Sequence, residues 1–444
     1  MSIRRMLVLV WIVALFGPIT ASAQNEQNDV YKQLNLFGDV FERVRAIYVE
    51  EKSDKELIEA AINGLLSSLD PHSSFVPAKE YDDMQVETRG TFGGLGIEVT
   101  MESGLVKVVA PIDDTPAFRA GVESGDLISH LDGEPVQGLT LSEAVDKMRG
   151  EVGKPIVITV IRGETQPFDI EIIRDIIKIQ SVRKRVEGKI GYVRITSFNG
   201  TAYEGLAKAI DQIEGELGDD VQGFILDLRN NPGGLLNQAI AISNAFLEKG
   251  EIVSTRSRND DDIQRYNAKG GDLIDGKPLI VLINGGSASA SEIVAGALKD
   301  HGRAILLGTT TFGKGSVQSI IELPGHGAMR LTTARYYTPA GISIQGKGIG
   351  PDIEVNPAKV EEIDVASRRK EADLRGSLDA GKSDPGAEKK DEEAAPEDAN
   401  SEQPAGDKDK ADAAVEEEAK PIDYQLVRAL DIIRGIAFYQ QASK

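Results

Sequence analysis

Three alternate serines stand in Asn284-Gly-Gly-Ser-Ala-Ser-Ala-Ser-Glu292, directly after the apolar run Leu279 to Ile283. Ile293, Val294, Ala297 and Leu298 follow at helical spacing, so the segment reads as a buried strand, a sharp turn and a helix. A serine at such a junction has an exposed hydroxyl. Beside it lie the first N–H groups of the helix, which lack intrahelical partners and mark the positive end of the dipole. An oxyanion can be held there. Serine is also a preferred helix cap, so position alone does not separate a nucleophile from a structural residue.

A second stretch bears on that choice. In Gly308-Thr-Thr-Thr-Phe-Gly-Lys-Gly-Ser-Val-Gln318, Lys314 stands between two glycines after the apolar run Ala304 to Leu307. A lysine serves as general base only when desolvation lowers its pKa toward neutrality, which asks for a closely packed, partly apolar pocket. Gly313, Phe312 and Val317 are the expected walls of that pocket.

A third block, Asp227-Leu-Arg-Asn-Asn-Pro-Gly-Gly234, follows the buried run Gly223 to Leu228 and opens another helix. With the two stretches above, it resembles the carboxyl-terminal processing proteases, the PDZ-containing Ser/Lys peptidases of the tail-specific protease family, S41. The resemblance implies Ser289 as nucleophile, Lys314 as base and Gln318 as the residue that orients the ammonium. It also implies an oxyanion hole of the Ala290 N–H and one N–H from Gly233 or Gly234. Asp227 and Arg229 are expected to form an ion pair that braces the turn, and Asp300 to end the serine helix rather than join a charge relay. His301 near that helix offers a Ser/His alternative, against which the family pattern argues.

The elements that must position these residues are legible at a coarse level. Between Lys178 and Asp352, strand and helix patterns alternate, which predicts an α/β layer with largely parallel pairing. The resemblance implies a crotonase-like protease core over 171–357, ending in the block Thr338 to Asp352. Upstream, Thr91-Phe-Gly-Gly-Leu-Gly-Ile97 and Gly121-Val-Glu-Ser-Gly-Asp-Leu-Ile-Ser-His-Leu-Asp-Gly133 resemble a PDZ domain, expected over 86–170. Gly94, Leu95 and Gly96 would turn backbone N–H groups toward a terminal carboxylate. Ile97 and Val99 would lie on an open strand edge that a peptide tail extends. Ala144, Val145 and Met148 are expected to line the groove beside that edge. No Gly/Ser-rich linker separates this module from the core, so it is expected to gate the enzyme.

The termini carry their own signals. Arg4-Arg5, the apolar run Met6 to Phe16 and Ala21-Ser-Ala23 predict a secretory signal over 1–23, short for a spanning helix and read either as cleaved or as an uncleaved anchor. An exported, periplasmic location follows. Residues 24–85 show helical periodicity, and Asp70-Pro-His-Ser-Ser-Phe75 reads as a structural turn. In relatives such a region helps subunits associate, which implies a homo-oligomer. The stretch 358–420, rich in Asp, Glu, Lys, Ala, Gly and Pro, is expected to be a disordered acidic linker. In 421–444, Leu426, Val427, Leu430, Ile433 and Ala437 form the apolar face of a helix, expected to dock on another subunit or on the amino-terminal helices.

The full reading is therefore an α/β core with an inserted, mixed α+β PDZ domain, an amino-terminal helical region and a disordered acidic linker before a carboxyl-terminal helix. Across its 444 residues the net charge is −21, which disfavours nucleic acid as a partner. There is no cysteine, and His72, His130, His301 and His326 lack ligand spacing, so neither a disulfide framework nor a metal site is expected, and no cofactor. Expected partners are protein substrates with nonpolar C-terminal tails and a possible adaptor protein.

Overall fold

The computed structural model describes residues 19–112, 114–163, 165–259, 261–359 and 422–442. Most of the expected signal segment, residues 360–420 of the expected linker and residue 421 lie outside them.

The chain starts with helices α1 (Ile19–Ile47) and α2 (Asp54–Ser67), strand β1 (Ser74–Pro77) and helix α3 (Ala78–Arg89). Ser53 and Glu56 cap α2 reciprocally, which satisfies donors that the first helical turn leaves orphaned. The Asp70 turn is structural, as expected. Its carboxylate accepts from the N–H groups of His72 and Ser73 and from Thr332 Oγ1, tying the region to a distant strand.

The next unit is a sheet in the order β3-β4-β5-β7-β8: β3 (Ile97–Glu102), β4 (Leu105–Pro111), β5 (Leu127–Leu131), β7 (Pro155–Ile161) and β8 (Phe168–Ile173). The short β6 (Glu134–Pro135) hangs on β5, and helices α4 (Pro116–Arg119) and α5 (Leu141–Met148) complete the unit. Val106, Val108, Ile128, Ile156, Ile158 and Val160 alternate inward and form its core. Ala144 and Met148 of α5 belong to this core, so of the three predicted groove residues only Val145 is left partly exposed. Helical period identifies an apolar stripe but not which neighbour it meets.

Two strands connect this unit to the rest. Strand β2 (Thr91–Gly94) leads in, β9 (Asp175–Lys178) leads out, and they pair antiparallel as a ribbon. The Gly90 carbonyl accepts from Ile179 N–H and the Gly200 N–H donates to Thr88, which fixes the ribbon's far end to the core.

The core sheet runs β10-β11-β12-β15-β16-β19, namely β10 (Val182–Glu187), β11 (Ile190–Ile195), β12 (Gly223–Asp227), β15 (Leu279–Ile283), β16 (Ile305–Gly308) and β19 (Ile353–Glu354). All neighbours from β11 to β19 are parallel, as the alternation predicts. One face packs on helices α6 (Ala202–Leu217), α7 (Leu236–Asn244) and α8 (Ala290–Asp300) through Val193, Leu226, Val281 and Ile283. Beside it lies a second sheet of β1, β13 (Glu251–Arg256), β14 (Ile263–Asn267), β17 (Ser316–Leu323) and β18 (Gly327–Tyr337).

The other face is covered by the last helix, α9 (Tyr424–Ala442), whose Leu426, Ala429, Leu430 and Ile433 pack on Tyr192, Ile225, Ile280, Leu282 and Leu307. This corrects the expected docking on another subunit or on the amino-terminal helices. A strand such as Leu-Ile-Val-Leu-Ile, apolar at every position, needs cover on both faces, and α9 supplies the second one. Burial of each such Leu or Ile contributes about 1.5–3 kcal/mol. The approach is close: a Cβ on Gly223 would lie 2.9 Å from Ile433 Cγ2.

Candidate active site

The three serines meet different fates. Ser287 and Ser291 are fully buried, and their hydroxyls donate to the carbonyls of Leu228 (2.8 Å) and Asn231 (2.9 Å). They stitch the serine turn to the Asp227–Gly234 turn. Ser289 is half-buried, and its side chain faces the Glu292 N–H across a capping box, while its hydroxyl donates to no acceptor among the described residues. Its backbone sits at φ 54°, ψ −109°, a region that non-glycine residues rarely occupy, at a sharp strand-to-helix turn. The surroundings thus spend two hydroxyls on holding one strained serine in place.

Glu292 explains what holds it. This side chain is 0 % exposed, and its two oxygens accept from the N–H of Ser289 (2.8 Å), the N–H of Lys314 (2.8 Å), the N–H of Gly313 (2.7 Å) and Thr311 Oγ1 (2.6 Å). One carboxylate therefore fixes the backbones of both Ser289 and Lys314. A second tie, Phe312 N–H to the Ser287 carbonyl at 3.0 Å, joins the same two loops. The Ser289-x-x-Glu292 spacing carried the signal, since a glutamate three residues after a capping serine reaches back to the cap N–H. The link from that glutamate to the lysine loop has no sequence signature.

The block Thr338 to Asp352 braces the lysine loop from the other side. Thr311 exchanges hydrogen bonds with Ile349, Gly346 N–H donates to the Gly313 carbonyl, and Gly315 N–H donates to Gln345 Oε1. The backbones touch, for a Cβ on Gly315 would fall 2.3 Å from Gln345 N. Lys314 itself is half-buried. Burial first, then the nearby Arg330 charge, hold its amine below the ordinary lysine range against an opposing pull from Glu292. Its Nζ makes no ion pair or hydrogen bond among the described residues, including with Ser289. Phe312 is 65 % exposed and does not wall the pocket as expected. Gln318 lies on β17 beyond the lysine, where its Nε2 donates to Ser316 Oγ at 3.0 Å rather than meeting the ammonium.

Gly233 lies against the serine turn, whereas Gly234 packs on the backbone of Phe198, and the two also differ in their N–H groups. Gly233, at φ 103°, packs so tightly that a Cβ would lie 2.9 Å from both Ala290 N and Ser289 Cβ, and its N–H donates to Asn231 Oδ1. The N–H groups of Gly234 and Ala290 have no partner among the described residues.

The Asp227 and Arg229 pair is as expected. Arg229 Nη2 lies 2.6 Å from Asp227 Oδ2, and Tyr192 donates to the same oxygen at 2.7 Å. Burial, the Asp227 charge and that hydrogen bond push the Tyr192 hydroxyl up to about 12. Asp300 and His301 stand at the far end of α8, roughly 15 Å or more from Ser289 at 1.5 Å per residue. There Asp300 accepts from Ala340 N–H and His301 contacts the Glu251 carbonyl, so neither reaches the serine.

At the PDZ-like unit, β3 pairs with β4 alone, leaving its other edge open. Ile97 and Val99 are half-buried on one face, while Glu98 and Thr100 are exposed. The carbonyls of Leu95 and Gly96 accept from Ala117 N–H and from Ile112 N–H and Thr115 Oγ1, respectively. The N–H groups of Leu95 and Gly96 have no partner among the described residues, next to Gly94 at the end of β2.

The sequence matches the family model described as Peptidase family S41 over residues 189–355 and that of the PDZ domain over 93–172. It is 56 % identical over 386 residues to the "Carboxy-terminal-processing protease" of Bartonella bacilliformis, covering 85 % of this chain and 88 % of that one. It is 34 % identical over 338 residues to the "Carboxy-terminal processing protease CtpA" of Bacillus subtilis, with 75 % and 72 % covered. Among solved structures, the photosystem II D1 C-terminal processing protease overlays with a TM-score of 0.42 at 28 % identity, covering 72 % of this chain and 92 % of that one. The chain belongs to peptidase family S41 and is a carboxy-terminal processing serine protease that carries a PDZ domain.

Proposed function

We propose that the protein is an exported endopeptidase that takes the nonpolar C-terminal tail of a protein substrate on its PDZ domain and cuts the chain with a Ser289/Lys314 dyad. The observation that carries this reading is the buried Glu292 carboxylate, bonded at once to the backbone N–H of the strained serine and to that of the desolvated lysine.

Neutral Lys314 removes the Ser289 proton as Oγ attacks the scissile carbonyl. The resulting oxyanion accepts from the N–H groups of Ala290 and Gly234, the glycine whose N–H is not already given to Asn231. Protonated Lys314 then gives its proton to the leaving amine as the C–N bond breaks, and water, deprotonated by the neutral Lys314, hydrolyses the acyl-enzyme. Gln318 would turn from Ser316 to orient the ammonium. In the conformation described, Ser289 and Lys314 are anchored but their side chains are not bonded to each other, and catalytic hydrogen bonds commonly close only on substrate binding.

Tail capture at Gly94, Leu95, Gly96, Ile97 and Val99 is the event proposed to close them. The PDZ unit reaches the core through the paired ribbon of β2 and β9, so a shift of one is felt at the other. The unpartnered N–H groups of Leu95 and Gly96 suit a terminal carboxylate, and the open edge of β3 suits an extended tail.

The remaining divisions follow the sequence: a signal over 1–23, a helical region over 24–85, the PDZ domain over 86–170, the protease core over 171–357, a linker over 358–420 and a docked helix over 421–444. Among the described residues, no helix is long and apolar enough to cross a membrane. Exposed Leu34, Phe37 and Val40 on α1 support association with a second copy, and an adaptor protein could use the same face.

The test is incubation with an unstructured substrate bearing a nonpolar tail, with cuts located by mass spectrometry. Wild-type protein should cleave it, and Ser289→Ala and Lys314→Ala should bind the tail without cleaving. Turnover by either variant at the wild-type rate would remove the dyad.

A further inference from the structure

Arg229 is held by more than its neighbour Asp227. Its Nε and Nη2 donate to the Asp227 carboxylate, at 3.0 and 2.6 Å. Its outer edge faces the start of α9, where Nη1 donates to Asp423 Oδ1 (2.9 Å) and Gln425 Oε1 (3.0 Å), and Nη2 to Asp423 Oδ2 (2.7 Å). All five guanidinium donors are thereby used, two of them in a parallel fork on Asp423, a residue 194 positions downstream.

The far side of this contact is equally fixed. Asp423 Oδ1 also accepts from Leu426 N–H, so the carboxylate that grips Arg229 is the one that caps α9. Gln425 is 4 % exposed, and its Nε2 donates to the Val355 carbonyl at 2.7 Å, just past β19. The apolar face of α9 supplies the cover for the sheet, but apolar packing is indifferent to where the Asp227–Gly234 turn sits. The polar end of the helix is not, because it addresses one side chain of that turn.

We propose that Asp423 and Gln425 are positioning residues for the protease reaction. Through Arg229 they hold the turn that carries Gly233 against the serine, so the polar start of the docked carboxyl-terminal helix, and not its apolar face, acts on the reaction. The path is short. Arg229 is followed by Asn230, whose N–H is held by Asn284 Oδ1, and by Asn231, whose carbonyl accepts from Ala288 N–H and Ser291 Oγ on the serine turn. Asn231 Oδ1 then receives the Gly233 N–H. Release of the outer edge of Arg229 leaves that end of the chain of contacts held by Asp227 and by one long contact, Arg194 Nη2 to the Arg229 carbonyl at 3.5 Å. A misplacement of about 1 Å at a reacting centre can cost about a hundredfold in rate.

The inference rests on the Ser289/Lys314 reading, and one set of variants separates the two. Asp423→Ala and Gln425→Ala are compared with Ser289→Ala and with Leu430→Ala, which weakens α9 packing without touching Arg229. The measurements are kcat and KM on the tailed substrate, thermal melting, and tail affinity of the PDZ domain.

Asp423→Ala should lower kcat by roughly tenfold to a hundredfold with KM and tail affinity unchanged. Gln425→Ala should lower it less, and Asp423→Glu should restore part of the loss. Leu430→Ala should lower the melting temperature while kcat, measured well below melting, stays near wild type. Wild-type kcat in Asp423→Ala would overturn the proposal, as would a kcat loss that follows melting temperature equally in Asp423→Ala and Leu430→Ala. Ser289→Ala reports on the other reading. An inactive Ser289→Ala beside a fully active Asp423→Ala would remove only the role of the helix, whereas an active Ser289→Ala would remove the dyad.

Discussion

The serine turn and the β3 edge of the PDZ domain are built on opposite principles. Around Ser289 most of the structural polar groups are committed: Ser287 and Ser291 to carbonyls across the gap, Asn231 to five partners, Glu292 to four donors. Along β3 one edge is left unpaired, and Leu95 and Gly96 keep their N–H groups unspent. A reaction centre gains from donors already aimed at the developing charge, whereas a binding strand needs unpaired donors that the incoming chain will satisfy. One region is over-determined and the other is incomplete without its ligand.

Loss of the nucleophile is the largest expected effect and divides the two regions most cleanly. Ser289→Ala should lower kcat by roughly 10⁴–10⁶-fold and leave tail affinity untouched, as measured by turnover and by calorimetric titration of a tail peptide. Equal loss in both measurements would mean that the regions are not separable.

Glu292→Gln comes next. The amide replaces one acceptor oxygen by a donor in a site lined with donors, so at least one buried N–H loses its partner. Activity should fall by about 10²–10³-fold and stability by roughly 2–5 kcal/mol, read from chemical denaturation. A variant as stable and as active as wild type would show that the serine and lysine loops do not depend on the shared carboxylate.

In the PDZ domain, Gly96 sits at φ 79°, and a Cβ there would lie 2.3 Å from Thr115 Cβ. Gly96→Ala should weaken tail binding about tenfold, while labelling of Ser289 by a small fluorophosphonate continues at the basal rate. Unchanged tail affinity would place the carboxylate elsewhere.

The smallest expected effect is electrostatic. The Lys314 amine must be uncharged to act, so kcat/KM should rise with pH through a pKa below the ordinary lysine value of about 10.4. Arg330 contributes to that lowering, so Arg330→Gln should move the rising limb to higher pH, as a full pH–rate profile would show. A shift to lower pH would contradict the assigned cause.

Much of this arrangement was legible in the sequence where a local pattern carries the constraint. A strand, two glycines and a helix announced the Ser289 turn, and Asp70-Pro-His-Ser-Ser-Phe75 announced a structural turn. The run from Leu279 to Ile283 announced a strand, but nothing local says which helix covers its second face, so α9 was placed on the wrong partner. Glu292 was not read from the sequence: its spacing from Ser289 is a local signal, but its bonds to Gly313 and Lys314 join residues 21 and 22 positions apart through a tertiary contact. Side-chain direction was the other gap. Ala144 and Met148 turned into the PDZ core and Phe312 turned out to solvent, because a local pattern places a residue on a face without naming what lies opposite.

The most direct test of the central claim is to identify the residue acylated during turnover and the group that controls its acylation. Rapid-quench mass spectrometry with a peptide ester should find the adduct on Ser289. Its rate of formation should depend on pH in the wild type, with that dependence and nearly all of the rate lost in Lys314→Ala. An adduct on Ser287 or Ser291, or acylation of Ser289 at an undiminished rate without Lys314, would contradict the account.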